Sequence, residues 1–162
     1  MVILLALLSA SGVASYFQAA WIPSSYNSTS SEQLCSQMMA LQETGIDRVY
    51  IDVWNQGTAY YKSPTMDAAG LLGSSFGGDR LLWASECSTF TGDVFAWFEY
   101  GLIAAYGSIN NEFAEYAQKN QWILGKDEQD FVWLNAANTD AVAFLTDLVI
   151  DVVRNYNAVR GV

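Results

Sequence analysis

The chain has 162 residues, 52% of them hydrophobic, which predicts one globular domain with a sizeable core. Its 17 acidic and 7 basic residues give a net charge of −10, and the scattered basic residues argue against nucleic acids and anionic membranes as partners. With no histidine, the chain can form no Ser-His-Asp or Cys-His catalytic set and no histidine-ligated metal site. We therefore expect no metal and no cofactor, and a chemistry based on carboxylates, hydroxyls, amides and aromatic rings.

The N-terminus, Met1–Ala10, is apolar but too short to span a bilayer. It is typical of the apolar core of a secretory signal, and small residues follow it where cleavage is expected, between about Ala10 and Ser15. No Lys or Arg precedes the apolar run, so an apolar first helix or a misassigned start codon is the alternative. We expect a signal peptide over residues 1–15 and a secreted or cell-envelope protein.

Strands and helices are predicted to alternate along the rest of the chain. The first half of the chain contains a strand at 16–22, a helix opened by a capping box at Thr29 and Glu32 and ended by Gly45, and a strand at 48–54. A helix capped by Asp79 then runs to about Phe90, and a third strand lies within 92–101. A short helix at 113–120, a long helix at 141–156 and the start of a fourth strand at 159–162 complete the order. Such alternation predicts a parallel sheet.

Long loops follow the predicted strands, whereas the turns from helix to strand are short. This asymmetry favours a (β/α) barrel, of which about three and a half of eight units are present, and an open sheet is the alternative. We expect strands one, two and three to be parallel neighbours in that order, with helices on the outer face and an uncovered edge at strand three or four. The buried face of the last helix is predicted to comprise Val142, Leu145, Val149, Val152 and Tyr156.

Two cysteines, Cys35 and Cys87, fall in predicted helices. They could pair in an exported chain, but sequence spacing cannot set the Cα geometry of a disulfide. Two buried free thiols are therefore the favoured interpretation.

Two predicted strands place a carboxylate among apolar residues. Along the first, Val49, Ile51 and Val53 face one side and Tyr50, Asp52 and Trp54 the other; along the second, Val94, Ala96 and Phe98 face one side and Phe95, Trp97 and Glu99 the other. A strand that is apolar on both faces is typical of a covered parallel sheet. Because such sheets carry their chemistry at the carboxyl edge, Glu99 is the leading candidate site residue, and a solvated loop glutamate is the alternative.

Four motifs, taken in order, resemble the glycosyl-hydrolase-like 10 family of bacterial-type (β/α)8-barrel proteins, which are often secreted or lipid-anchored. They are Ala20-Trp-Ile-Pro-Ser24, Val49-Tyr-Ile-Asp-Val-Trp-Asn-Gln-Gly-Thr58, Val94-Phe-Ala-Trp-Phe-Glu-Tyr-Gly101 and Trp133-Leu-Asn135 before a long helix. The family's acidic segment after the fourth strand is absent here, and residues 157–160 depart from the family pattern. We expect residues 16–162 to be the N-terminal part of a truncated barrel, inactive alone and able to self-associate through an open sheet edge.

The resemblance implies hydrolysis of a bacterial polysaccharide, with peptidoglycan glycan strands as one candidate. This chemistry needs two carboxylates flanking the scissile bond. Glu99 and Asp52 are the candidates, with a structural carboxylate as the alternative for Asp52. The residues that could line a sugar site are Tyr26, Trp54, Asn55, Trp97 and Tyr100, although a core position is equally open to Trp97. The competing interpretation is a non-catalytic carbohydrate-binding or structural protein.

Overall fold

The structure, a computed structural model, describes residues 18–24, 30–71 and 78–162. The expected signal peptide, Tyr26 and Thr29 lie outside the described residues. The strands are β1 (Ala19–Ile22), β2 (Arg48–Asn55), β3 (Thr58–Ala59), β4 (Asp93–Glu99), β5 (Ile103–Tyr106), β6 (Ile123–Lys126), β7 (Phe131–Leu134) and β8 (Val159–Gly161); the helices are α1 (Ser31–Glu43), α2 (Pro64–Ala68), α3 (Arg80–Glu86), α4 (Glu112–Lys119) and α5 (Thr139–Asn155). Of these helices, none is long and apolar enough to cross a membrane.

The main sheet is built from parallel strands in the order β1, β2, β4, β8, and the short β3 pairs antiparallel with the end of β2. Spatial order therefore follows chain order, and helices connect successive parallel strands. This confirms the predicted α/β class and the partial (β/α) barrel. In the described part of the chain, the outer edges of β1 and β8 pair with no further strand.

The two faces of the main sheet differ in the way that the alternation predicts. The helix-covered face is aliphatic, with Ala20, Ile22, Val49, Ile51, Val53, Val94 and Ala96 all buried. On the opposite face three rings stack across neighbouring strands, with centroids 5.2 Å apart between Trp21 and Tyr50 and 5.0 Å apart between Tyr50 and Phe95. Cross-strand aromatic pairs of this kind stabilise a sheet and fix its register.

A β-bulge in β2 changes which side chains face the helices. The register pairs Asp52 with Trp97 but then Trp54 with Phe98, so one extra residue lies in β2 between them. Trp54 is consequently fully buried in the core, with its ring 6.4 Å from Phe98 and 5.0 Å from Phe113. The prediction that Trp54 shares a face with Asp52 is wrong, because the bulge reverses the alternation at that point.

Between β4 and α5 the chain forms a second, antiparallel sheet in the order β5, β7, β6, together with α4. The sequence predicted only the short helix in this segment. The backbone N–H of Leu134 donates to the carbonyl oxygen of Leu102 at 2.9 Å, which holds the two ends of the segment side by side. Val132 and Leu134 face the core, while Phe131 and Trp133, at alternate positions, are partly exposed.

Two predicted helix details are corrected. The N-cap of α1 is Ser30, whose side chain accepts from the backbone N–H of Gln33, and not the predicted Thr29. The buried face of α5 comprises Ala141, Phe144, Leu148 and Val152, followed by Tyr156, whereas Val142 is 42% exposed. Apolar residues occupy more than one side of this helix. In its first half, periodicity alone therefore predicted Val142, Leu145 and Val149, each of which directly follows a residue of the buried face.

Cys35 and Cys87 form a disulfide, with their Cα atoms 5.3 Å apart. Cys35 lies in α1 and Cys87 follows the last residue of α3, and these two helices pack against each other. The favoured prediction of two free thiols is therefore wrong, because helix packing brings together residues that are 52 positions apart.

Candidate functional site

The two candidate carboxylates meet at the carboxyl edge of the main sheet. Asp52 and Asn55 lie toward the end of β2, and Glu99 is the last residue of the neighbouring β4. Because of the bulge, Asn55 rather than Trp54 is the register partner of Glu99. Parallel strands end at the same edge of a sheet, which is why residues 47 positions apart lie close together.

One amide group links the two carboxylates. Asn55 donates from Nδ2 to Oε2 of Glu99 at 2.8 Å and to Oδ2 of Asp52 at 3.3 Å. The same Asp52 oxygen also accepts from the backbone N–H of Ser24, just beyond β1, at 3.0 Å. Three adjacent strands thereby contribute to one hydrogen-bonded group, which we call the carboxylate cluster: Ser24, Asp52, Asn55 and Glu99.

The two carboxylates differ in their access to solvent. Asp52 is fully buried, and its Oδ1 has no hydrogen-bond partner among the described residues. Glu99 is partly exposed at the end of its strand. Glu99 is therefore the carboxylate that a ligand can reach, while Asp52 lies behind it.

Burial raises the pKa of both carboxyl groups. For Glu99 the negative charge of the adjacent Asp52 raises the pKa further, and donation by Asn55 opposes the shift. For Asp52 the hydrogen bonds from Ser24 and Asn55 and the charge of Arg80 oppose the effect of burial on the pKa. The arrangement thus favours a protonated Glu99 at pH values where an exposed glutamate is ionised.

Arg80 is a buried cation near the cluster that the sequence analysis did not single out. It is the first residue of α3, is 3% exposed, and donates from both Nη1 and Nη2 to the carbonyl oxygen of Pro23 at 3.3 Å. Burial lowers its pKa, and the charge of Asp52 acts in the opposite direction. An arginine after an N-cap is usually exposed, so its local sequence gave no sign of this position.

The other predicted sugar-binding residues are only partly brought together. Trp97 is the register partner of Asp52 and is half-buried on the same face of the sheet. Tyr100, directly after Glu99, is 44% exposed, whereas Trp54 lies in the core away from the cluster. Among the described residues no three His, Cys, Asp or Glu side chains group as a metal site would require. What the cluster offers is proton transfer and hydrogen bonding.

Comparison with known proteins gives a family and a fold. The sequence matches the model of a family described as glycosyl hydrolase-like 10 over residues 16–162. No curated protein matches the chain. The structure is similar to the crystal structure of a hypothetical protein from Ruminiclostridium thermocellum ATCC 27405, with a TM-score of 0.60 and 14% sequence identity over 83% of this chain and 70% of that chain. At that identity the likeness shows the fold alone.

Proposed function

Because the chain belongs to the glycosyl hydrolase-like 10 family, we propose that it hydrolyses a bacterial polysaccharide with Glu99 as the proton donor. The observation that carries this proposal is the position of Glu99, a partly exposed carboxyl at the carboxyl edge of a parallel sheet. A general acid must hold its proton at the working pH. Burial and the adjacent Asp52 raise the pKa of Glu99 in the direction that this role requires.

We assign Asp52 a positioning role. It is fully buried and so cannot touch a substrate in this structure, but it accepts from Asn55, which in turn donates to Glu99. Its negative charge also raises the pKa of Glu99. The sequence made Asp52 the second catalytic candidate, with a structural carboxylate as the alternative, and this assignment follows the alternative.

The proposed substrates are bacterial polysaccharides, with peptidoglycan glycan strands as one candidate. Trp97, two residues before Glu99, and Tyr100, directly after it, supply partly exposed rings that can stack on pyranose C–H groups. The net charge of −10 disfavours acidic glycans, because long-range repulsion opposes their approach, so that peptidoglycan strands with free muramic acid carboxylates rank below uncharged polysaccharides.

The test is the pH dependence of hydrolysis by the full-length gene product. We expect kcat on the polysaccharide that the protein hydrolyses to fall as the pH rises through the pKa of Glu99, because the donor loses its proton. The fall of kcat at high pH is the alkaline limb of the pH profile. Asp52→Asn removes a negative charge beside Glu99, which lowers the pKa of Glu99 and should move this alkaline limb to lower pH. The matched control, Asp147→Asn, changes an exposed aspartate of α5 and should leave the profile in place. An alkaline limb that does not move in Asp52→Asn contradicts the positioning role.

We also propose that the protein is exported. Disulfides such as Cys35–Cys87 persist in oxidising compartments, and Met1–Ala10 is typical of a signal sequence. Mass spectrometry of the exported protein should find an N-terminus between about Ala10 and Ser15. Intact Met1 on the exported protein would remove the signal peptide from this proposal.

A second candidate function is carbohydrate binding without hydrolysis. It is favoured by the burial of Asp52, which leaves Glu99 as the one accessible carboxylate of the cluster, whereas glycosidases use two. Tight binding of the same glycans with no released reducing ends would support this candidate over the hydrolase.

A further inference from the structure

Aromatic side chains are concentrated on the outward face of the second sheet. Tyr106 is 54% exposed and Tyr100 is 44% exposed, while Phe131 and Trp133 are partly exposed. The register pairs Tyr106 with Phe131, and alternation along β7 places Phe131 and Trp133 opposite the buried Val132. We call Tyr100, Tyr106, Phe131 and Trp133 the aromatic platform.

The rings of the platform form one contiguous surface centred on Phe131. Its centroid lies 5.6 Å from that of Tyr100, 5.5 Å from that of Tyr106 and 6.4 Å from that of Trp133. Exposed apolar side chains are usually scattered singly, and a contiguous group marks an interaction site.

The indole of Trp133 is fixed by a carboxylate. Its Nε1 donates to Oδ2 of Asp127 at 2.7 Å, and Oδ1 of Asp127 accepts from the backbone N–H groups of Gln129 and Phe131, both at 2.9 Å. The hydrogen bond from Trp133 also lowers the pKa of Asp127, which favours the ionised acceptor. A ring held in one orientation before binding loses little entropy when a ligand stacks on it.

The platform is continuous with the carboxylate cluster. Tyr100 directly follows Glu99, and its carbonyl oxygen accepts from the backbone N–H of Ile103 at the start of β5. Asn111, at the start of α4, donates from Nδ2 to the carbonyl oxygens of Ala104 in β5 and of Gln56 just after β2. The second sheet is thus attached to both strands that supply Asn55 and Glu99.

We propose that the aromatic platform is a binding subsite for the pyranose rings of an uncharged glycan chain extending from Glu99. The occupant follows from the proposed function, on which this inference rests, and from the chemistry of the surface. Aromatic faces bind the C–H faces of sugars. The surrounding charges disfavour an acidic sugar, since Asp127, Glu128 and Asp130 are close in the chain and Lys126 is already paired with Asp130 at 2.6 Å.

The experiment measures binding of three hexasaccharides by calorimetry: chitohexaose and cellohexaose, which are uncharged, and a hyaluronan hexasaccharide, which is acidic. The protein is the full-length gene product carrying Glu99→Gln, so that the chains stay intact. We expect an uncharged hexasaccharide to bind, and Tyr106→Ala to weaken that binding about tenfold, the scale of one lost stacking contact. Leu124→Ala is the control, because Leu124 is an aliphatic side chain of the same sheet that is 69% exposed and lies outside the platform.

Three results would overturn the proposal: no binding of either uncharged hexasaccharide, equal affinity of the Tyr106→Ala variant and its parent, or a preference for the acidic hexasaccharide. These results are distinct from failure of the hydrolase proposal. If the platform binds uncharged glycans but the wild-type protein hydrolyses no polysaccharide, only the hydrolase proposal fails. If Tyr106→Ala binds normally and Glu99→Gln abolishes hydrolysis, only the platform proposal fails.

Discussion

The Glu99→Gln variant is expected to lose about 100-fold or more in kcat on bacterial polysaccharides, the scale of lost acid–base catalysis, while keeping its melting temperature. Glutamine has the shape of glutamate, and its carbonyl oxygen can still accept from Nδ2 of Asn55. The substitution removes the titratable proton alone. Binding of sugars should therefore persist while proton donation is lost.

Turnover and thermal unfolding are measured in parallel, with Glu115→Gln, at an exposed position in α4, as the matched control. The control should retain wild-type kcat and its alkaline limb. Unchanged turnover of Glu99→Gln at unchanged stability would show that Glu99 takes no part in catalysis. A large loss of stability would make it a structural carboxylate, and the non-catalytic binding function would then be favoured.

Removing the disulfide by the double substitution Cys35→Ala and Cys87→Ala should lower the free energy of unfolding by about 4 kcal/mol. The bond joins residues that are 52 positions apart in the sequence. Such a cross-link lowers the conformational entropy of the unfolded chain and so stabilises the folded state. It also joins α1 to the end of α3, helices that pack together over the main sheet. Since domains are typically stable by about 5–15 kcal/mol, this loss is a large fraction of the total stability.

Urea unfolding of the oxidised wild-type protein, the reduced wild-type protein and the double variant measures this effect. Reduction should lower the stability of the wild-type protein to that of the variant and should leave the variant unchanged. A double variant within about 1 kcal/mol of the oxidised protein would show that native packing of α1 on α3, rather than the cross-link, sets the stability.

Alternating side chains were sufficient to predict most of the main sheet and the meeting of its two carboxylates. In β4 the side chains alternate between the two faces of the sheet throughout, so that Glu99 lies on the predicted face with Trp97. In β2 it fails at the bulge, which buries Trp54 and places Asn55 opposite Glu99. A bulge depends on pairing between strands, and the sequence of one strand does not specify it.

The second sheet and the disulfide could not be predicted for a related reason. β5 and β6 contain Ala, Gly and Lys, residues with little intrinsic preference for strands, and their structure comes from pairing with β7. The Cys35–Cys87 bond depends on how α1 packs against α3. Both features arise from tertiary contacts, so that local pattern carries almost no information about them.

The hydrogen bond from Leu134 to Leu102 has an evolutionary consequence. The segment between β4 and α5 leaves the main sheet and returns to it at adjacent points, so that its length can change without moving β4 or α5. Segments joined in this way tolerate insertion and deletion at exposed positions, whereas Phe113 of α4 packs against Trp54 in the core and is constrained by that contact. Relatives can therefore diverge at the exposed positions between residues 100 and 138 while the main sheet and its carboxyl edge keep their structure.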